Sequence, residues 1–227
     1  MFNSNAGFGP VNVPERSAPG ERSTLLGQTL GLVGVSFLFT AGGAVVGRQL
    51  GAGAILAAAV GTFVLLFLLY AVREQSPLNL IVLYAFATCE GLLLGPLVDA
   101  YVAEGLGDVV VLAAAATAFV CLAAGLYGAT TGRDLSGLGG GLTVALLGMI
   151  VTSLIGWFVS SPAVDTMVSA AAVLVFTGFL AVDLQRAASR LDASDGDAVM
   201  LAVAVYLDAL NLFTALVRLL GRSRDDR

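Results

Sequence analysis

Three acidic residues, Glu90, Asp183 and Asp208, lie inside long apolar runs of this 227-residue sequence. A charged side chain within a bilayer costs roughly 2.5–3.5 kcal/mol on insertion scales. An acidic residue at such a depth must therefore be protonated, paired with a cation or hydrated. For this reason the three acids are the first candidates for a functional site.

Asp208 lies near the middle of its apolar run and shares one helical face with small and polar residues. Steps of four and three residues connect this face, which comprises Ala204, Asp208, Asn211, Ala215, Arg218 and Arg222. The other faces carry Leu, Val, Phe and Tyr. We expect the polar face to point toward a bundle interior or a water-filled cavity. The alternative is an aspartate whose hydrogen bonds only fix helix packing.

Asp183 and Glu90 each allow two interpretations. Arg186 follows Asp183 by three residues, so the two side chains share a helical face and could form an ordinary interfacial ion pair. Glu90 precedes Gly91 in the middle of its run. It would either line an ion path or pack beside that glycine.

The composition predicts the elements that carry these acids. Apolar residues make up 58% of the chain and charged residues 12%, against roughly 45–50% and about 25% in soluble domains. The mean hydropathy is +0.93. At about 20 apolar residues per span, the sequence predicts an all-α membrane protein of seven helices, since lipid offers no partner for unpaired backbone groups.

The predicted spans cover residues of about 24–47, 52–72, 78–101, 108–131, 138–160, 164–187 and 198–220. A polar, flexible tail is expected over residues 1–22, because this stretch is rich in Gly, Pro, Asn and Ser. The seven-helix domain is expected over residues 23–221, followed by a short charged tail over residues 222–227.

Missing residue types exclude several classes of membrane protein. The chain has no histidine, and all 11 basic residues are arginines. An imidazole metal site, a retinal Schiff base and a Walker-type phosphate loop are therefore ruled out. The net charge of −5 provides no basic patch for nucleic acid. Cys89 and Cys121 form no CxxC motif and are interpreted as small buried residues.

No pattern in the sequence predicts an enzyme. The contexts Ala-Val-Asp-Leu at Asp183 and Tyr-Leu-Asp-Ala at Asp208 lack the Gly-x-Gly-Asp motif of intramembrane aspartyl proteases. There is also no nucleophile–base constellation. No cofactor is expected.

Small residues recur at helix-packing spacing and predict close helix contacts. They are Gly27/Gly31, Gly43/Gly47, Gly91/Gly95 and Gly137/Gly141, with Gly148, Thr152 and Gly156 continuing along the fifth span. We interpret them as structural.

The arginines predict an N-terminus in the cytoplasm. The side expected to be cytoplasmic carries Arg16, Arg22, Arg73, Arg133, Arg186 and Arg190, whereas the other side of the first six spans carries only Arg48. The basic residues after the seventh span oppose this orientation if that span crosses completely: Arg218, Arg222, Arg224 and Arg227. Either the last segment is re-entrant or the earlier spans determine the topology.

Three motifs in these spans resemble the Bax inhibitor-1 (transmembrane Bax inhibitor motif) family. They are Glu90-Gly91 with Leu94-Gly95-Pro96-Leu97, then Phe176-Thr177-Gly178-Phe179 leading to Asp183-Leu184-Gln185, and Tyr206-Leu207-Asp208-Ala209-Leu210-Asn211-Leu212-Phe213 followed by Leu216-Val217-Arg218-Leu219-Leu220-Gly221. The resemblance covers residues 24–221 and implies a seven-helix fold in which the last helix is central.

The resemblance also implies a pH-sensitive calcium leak, gated by two aspartates that share a proton. Asp183 and Asp208 match these two positions and could contact calcium. The family's second helix can supply an arginine to the aspartate of span six, and Arg73 is the candidate here. Bacterial members also place an acid in span two, which this sequence lacks.

We therefore expect a multi-pass protein of the cell membrane that acts as a proton-regulated cation leak or exchanger, with calcium as the ion. Asp183 and Asp208 would form the gate, and Glu90, Arg73, Asn211 and Arg186 would serve as ion-path or counter-ion residues. The expected partners are the lipid bilayer and calcium or protons, and a membrane-protein partner is left open. The alternative is a non-transporting regulator that binds a membrane protein such as a quality-control protease.

Overall fold

The computed structural model describes residues 19–159, 161–189 and 194–225, and these ranges contain seven helices and no strand. The helices are α1 (Pro19–Gly47), α2 (Ala52–Val72), α3 (Leu78–Ala103), α4 (Gly107–Thr130), α5 (Leu138–Val159), α6 (Pro162–Ser189) and α7 (Asp195–Asp225). All seven are long and apolar enough to cross a membrane. The predicted all-α fold with seven spans is thereby confirmed.

The first and last helices are longer than their predicted spans. α1 begins at Pro19, within the predicted tail, and α7 continues to Asp225. The rest of the predicted tails, residues 1–18 and 226–227, lies outside the described residues, as does Arg190.

Local sequence explains several helix ends. At the start of α7, the Ser194 backbone N–H donates to Asp197 Oδ2 (3.2 Å), and the Asp197 backbone N–H donates to Ser194 Oγ (3.1 Å), a reciprocal cap. Pro162 is the first residue of α6, where its missing N–H has no intrahelical partner to lose. Gly105 turns α3 toward α4 with a φ of 77°, a left-handed conformation that glycine adopts without a steric penalty.

α1 and α3 pack with their backbones in contact. A Cβ atom on Gly95 would lie 2.7 Å from the Ala44 carbonyl oxygen, and one on Gly43 would collide with the Thr88 carbonyl oxygen. Gly47 and Gly91 meet the facing backbone in the same way. The predicted packing role of these two glycine pairs is confirmed.

The predicted packing role is wrong for most of the other small residues. Among the described residues, no atom outside the local helix lies within 4 Å of a Cβ placed on Gly27, Gly31, Gly137, Gly141 or Gly148. Thr152 is exposed, and a Cβ on Gly156 would make only ordinary contact with the Val164 side chain, at 3.6 Å. The spacing shows where two helices can approach each other, but not whether a second helix lies there.

α7 is the central helix. It packs mainly against α1, α3, α4 and α6, whereas α2 packs on α3 and α5 packs on α6 at the outside of the bundle. Its side chains Tyr206 and Leu212 are fully buried and join Phe86, Leu180 and Leu184 in one apolar core. This core holds α6 and α7 in a fixed register.

Two ion pairs show that α7 runs the whole length of the bundle. Arg222 Nη2 lies 2.6 Å from Asp165 Oδ2 in the first turn of α6, and Arg224 pairs with Asp108 in the first turn of α4. Both of these turns lie at the end of the bundle opposite the start of α7. The last segment therefore runs from one end of the bundle to the other and does not turn back within it.

Candidate functional site

Asp183 on α6 and Asp208 on α7 place their carboxyl groups within hydrogen-bonding reach of each other. The exposed fractions of the two residues are 6% and 9%. Asp208 Oδ2 has no hydrogen-bond partner among the residues that the structure describes. Two carboxyl groups this close in a low-dielectric interface hold together when one carries a proton and donates it to the other.

An axial offset of the two helices makes this contact possible. Asp183 lies six residues before the end of α6, and Asp208 lies thirteen residues after the start of α7. At 1.5 Å per residue, the start of α7 projects about 10 Å beyond the end of α6. α7 remains a continuous helix over this stretch, so no unwound turn is needed.

Arg186 is the cation next to the aspartate pair. Its Nη1 donates a hydrogen bond to Asp183 Oδ1 at 2.9 Å, while half of its own side chain stays exposed. The predicted ion pair of Asp183 with Arg186 is therefore present together with the contact to Asp208. Asp183 is thus placed between a cation and a second carboxyl group.

Arg73 does not occupy the position that the resemblance implied. Its Nε lies 3.6 Å from Glu74 Oε1, and its guanidinium lies over the Tyr70 ring, 4.6 Å from the centroid. Arg73 follows the last turn of α2, at the outside of the bundle. The counter-ion of Asp183 comes from the next turn of α6 instead of from the second helix.

Asn211 lies on the predicted polar face of α7, one turn beyond Asp208. It lines a cavity of about 1080 Å³ between α5, α6 and α7, together with Ala215 and Arg218 of the same face. At 1.5 Å per residue, Asn211 is about 4.5 Å from Asp208 along the helix. The polar face therefore leads from the end of the bundle to within one turn of the aspartate pair.

Glu90 lies apart from the pair, half-buried in the middle of α3. It makes no hydrogen bond or ion pair with the described residues. Its carboxyl group is close enough to Tyr206 and Cys89 to interact with them electrostatically. Glu90 thus faces the core near α7 but does not extend the Asp183–Asp208 contact.

A buried hydroxyl pair links α1 to α7 and was not predicted. Thr40 Oγ1 and the Tyr206 hydroxyl lie 2.7 Å apart, and the Thr40 hydroxyl also lies 2.9 Å from the Ser36 carbonyl oxygen. Phe37 and Phe86 enclose the Tyr206 ring at centroid distances of 5.2 and 6.0 Å. Tyr206 lies two residues before Asp208 in the sequence. This proximity was the signal that could have identified Tyr206 as part of the site.

Two further side chains around the pair were missed as well. Gln185 Nε2 donates to the Arg133 carbonyl oxygen and Gln185 Oε1 accepts from the Leu135 N–H, both at 2.8 Å. Gln185 thereby fastens the α4–α5 connection to the end of α6 that carries Asp183. Cys121 of α4 lies close enough to Asp208 for an electrostatic interaction.

Comparisons with known proteins agree with the motifs of these helices. The family model described as inhibitor of apoptosis-promoting Bax1 matches residues 22–225. The modulator of FtsH protease YccA of Escherichia coli K12 is 32% identical over 171 residues, which cover 73% of this chain and 74% of that protein. The protein of E. coli O6:H1 named inner membrane protein YccA matches to the same extent. The Golgi anti-apoptotic protein of vaccinia virus (strain Lister) is 37% identical over 166 residues, or 73% of this chain and 68% of its own.

Proposed function

The chain belongs to the Bax inhibitor-1 family, and we propose that this multi-pass membrane protein is a proton-regulated cation leak. The observation that carries the proposal is the contact of the Asp183 and Asp208 carboxyl groups between α6 and α7. Purely structural polar groups in a bilayer normally satisfy all of their atoms, whereas Asp208 Oδ2 has no partner in the described part of the chain.

The shared proton acts as a latch between α6 and α7. While it is bound, one carboxyl group donates to the other and the helices stay in contact. When it leaves, two carboxylates face each other in a low dielectric and repel. Arg186 pairs with Asp183 at 2.9 Å but not with Asp208, so an ionised Asp208 keeps an uncompensated charge that favours separation of the helices.

Calcium is the ion that we propose passes through the separated helices. It takes six to eight oxygen ligands, and the pair offers at most four carboxylate oxygens. Among the described residues no group of three or more acidic or cysteine side chains could hold a metal ion. Such a donor set favours a transient contact with calcium as it passes, rather than a calcium ion that stays bound. The location that we propose is the cell membrane, since one relative is named an inner membrane protein.

Flux through liposomes that contain only the purified chain tests this proposal. Calcium flux should rise with pH as the pair loses its shared proton. Asp183→Asn and Asp208→Asn should each abolish or strongly shift this pH dependence, because either change removes one ionisable carboxyl group. The double variant should add little, since the two residues act as one unit.

Asp99→Asn is a matched control for these variants. Asp99 is an exposed aspartate with an arginine partner, Arg48 at 2.8 Å, and it lies outside the pair. Its removal should leave the pH profile unchanged. Independent, additive effects of Asp183→Asn and Asp208→Asn would refute the shared-proton latch.

A second candidate function is regulation of a membrane quality-control protease. It is favoured by the similarity to the modulator of FtsH protease YccA. In this case the purified chain should give no calcium flux, but it should change the rate at which a co-reconstituted membrane protease degrades a substrate. Flux from the chain alone, without any effect on the protease, would exclude this candidate.

A further inference from the structure

A large opening in the bundle lies beside α7, and its inner end, at Asn211, is within one turn of the aspartate pair. α6 packs against both α5 and α7, and a cavity of about 1080 Å³ fills the gap between α5 and α7. This volume is at the upper limit of small-molecule sites, which have about 300–1,000 Å³. The cavity therefore has room for a long ligand.

The lining of this cavity changes along its depth. Its inner part has an apolar wall on α5 and α6, formed by side chains such as Leu146, Met149 and Phe176, and a polar edge on α7, formed by Asn211 and Thr214. Its mouth lies where α5 ends and α6 begins, beside Arg218 of α7. A ligand that fits this lining is apolar over most of its length and polar at one end.

Arg218 is the unpaired charge at the mouth. It is exposed and has no ion pair or hydrogen bond with the described residues, whereas Arg222 is bound to Asp165 and Arg224 to Asp108. Arg218 lies seven residues before the end of α7, about 10 Å from it at 1.5 Å per residue. In a bilayer whose outer surface coincides with the last turn of α7, this depth is near the boundary between acyl chains and headgroups.

The sign of this charge decides between two uses of the cavity. An uncompensated guanidinium repels calcium, so the cavity is poorly suited as the mouth of a cation path. Arginine instead binds phosphate with paired hydrogen bonds, and basic pockets between membrane helices bind anionic lipid headgroups. We propose that this cavity binds an anionic phospholipid, with the headgroup phosphate on Arg218 and an acyl chain along the apolar inner wall.

Native mass spectrometry of the purified full chain tests this site. The detergent-solubilised protein is mixed with equal amounts of phosphatidylglycerol and phosphatidylcholine of the same acyl chains. The wild-type chain should retain phosphatidylglycerol in preference to phosphatidylcholine. Arg218→Gln should lower its retention about tenfold, the loss expected for one charge-assisted hydrogen bond. Arg133→Gln is the matched control, because Arg133 is exposed in the connection at the opposite end of the bundle and forms no ion pair within the described ranges.

A second variant tests the acyl-chain part of the site independently of the charge. Ser153 lines the cavity from α5 and is exposed, so Ser153→Phe fills space without disturbing the core. It should lower retention of phosphatidylglycerol while the thermal unfolding midpoint stays unchanged. Inorganic phosphate in excess should not displace the lipid, since a free anion does not use the apolar wall.

Several outcomes would overturn the proposal. Equal retention of the two lipids by the wild-type chain would refute a site for an anionic headgroup. The same applies if Arg218→Gln retains phosphatidylglycerol as the wild type does. If Arg218→Gln does not fold, Ser153→Phe decides, and undiminished retention there would refute the site. Displacement by inorganic phosphate would assign Arg218 to a free anion instead.

Discussion

Glu90 is the intramembrane acid whose environment differs most from that of the aspartate pair. It is half-buried in α3 and has no hydrogen-bond or ion-pair partner among the described residues. An unpaired charge at this depth costs roughly 2.5–3.5 kcal/mol. Such a cost is hard to explain by packing beside Gly91, which a neutral side chain would achieve equally well.

Glu90→Gln should therefore lower calcium flux several-fold without unfolding the protein. The change keeps the shape of the side chain and removes its ionisable group, so an ion path loses a ligand while the packing of α3 is preserved. Flux through proteoliposomes is the readout, with thermal unfolding as the control for folding. Unchanged flux would assign Glu90 to packing, and loss of folding would show that its charge is structural.

At the residue scale, the sequence could predict which residue types matter but not which of them meet. The resemblance predicted the Asp183–Asp208 contact, although helix spacing alone placed the two aspartates about 9 Å apart in depth. The offset between α6 and α7 arises from how the helices pack, which no local spacing encodes. Arg73 lies near Glu74 instead of Asp183, because the position of α2 at the outside of the bundle is a property of the whole fold.

At the element scale, the α1–α3 contact depends on four glycines that allow two backbones to touch. Gly43→Ala places a methyl group against the Thr88 carbonyl oxygen and the Gly91 Cα atom. Overpacking of this kind costs typically about 1–3 kcal/mol, and neither backbone can move without shifting its helix. Gly43→Ala should lower the thermal unfolding midpoint of the purified protein.

Gly34→Ala is the control on the same helix. No atom outside the local helix lies within 4 Å of a Cβ at Gly34 among the described residues. Replacing a helical glycine by alanine in open space stabilises a helix by about 0.5–1 kcal/mol. Equal effects of the two substitutions would contradict a specific contact between α1 and α3.

The predicted spans and the observed helices show which elements could be predicted from the sequence. The length and hydropathy of each run predicted most helix boundaries to within a few residues, because membrane thickness fixes how many apolar residues a span needs. The ends of α1 and α7 were underestimated, since polar residues such as Arg222 and Arg224 continue the helix beyond the apolar run. The spacing of Gly137, just before α5, and Gly141 within it predicted a helix contact that the described residues do not make. A face of small residues does not indicate which helix, if any, packs against it.

At the scale of the whole molecule, seven helices that are each long and apolar enough to cross a membrane would place the start of α1 and the end of α7 on opposite sides of it. The end of α7 is held by Asp165 and Asp108 at the beginnings of α6 and α4. Arg48 at the end of α1 is paired with Asp99 at the same end of the bundle. Three of the arginines that oppose the predicted orientation are thus paired with aspartates, whereas Arg133 at the other end has no ion pair with any residue that the structure describes.

We therefore predict that the start of the chain is cytoplasmic and that the end of α7 is not. Single cysteines at exposed positions test this in a Cys89→Ala/Cys121→Ala background with a membrane-impermeant maleimide. In intact cells, Glu104→Cys and Ser223→Cys should react, because both positions lie at the end of the bundle that holds the last turn of α7. Ser136→Cys, in the α4–α5 connection, should react only after permeabilisation. The opposite pattern would reverse the orientation inferred from the arginines. If Ser223→Cys reacts under the same conditions as Ser136→Cys and not as Glu104→Cys, the complete crossing of α7 is contradicted.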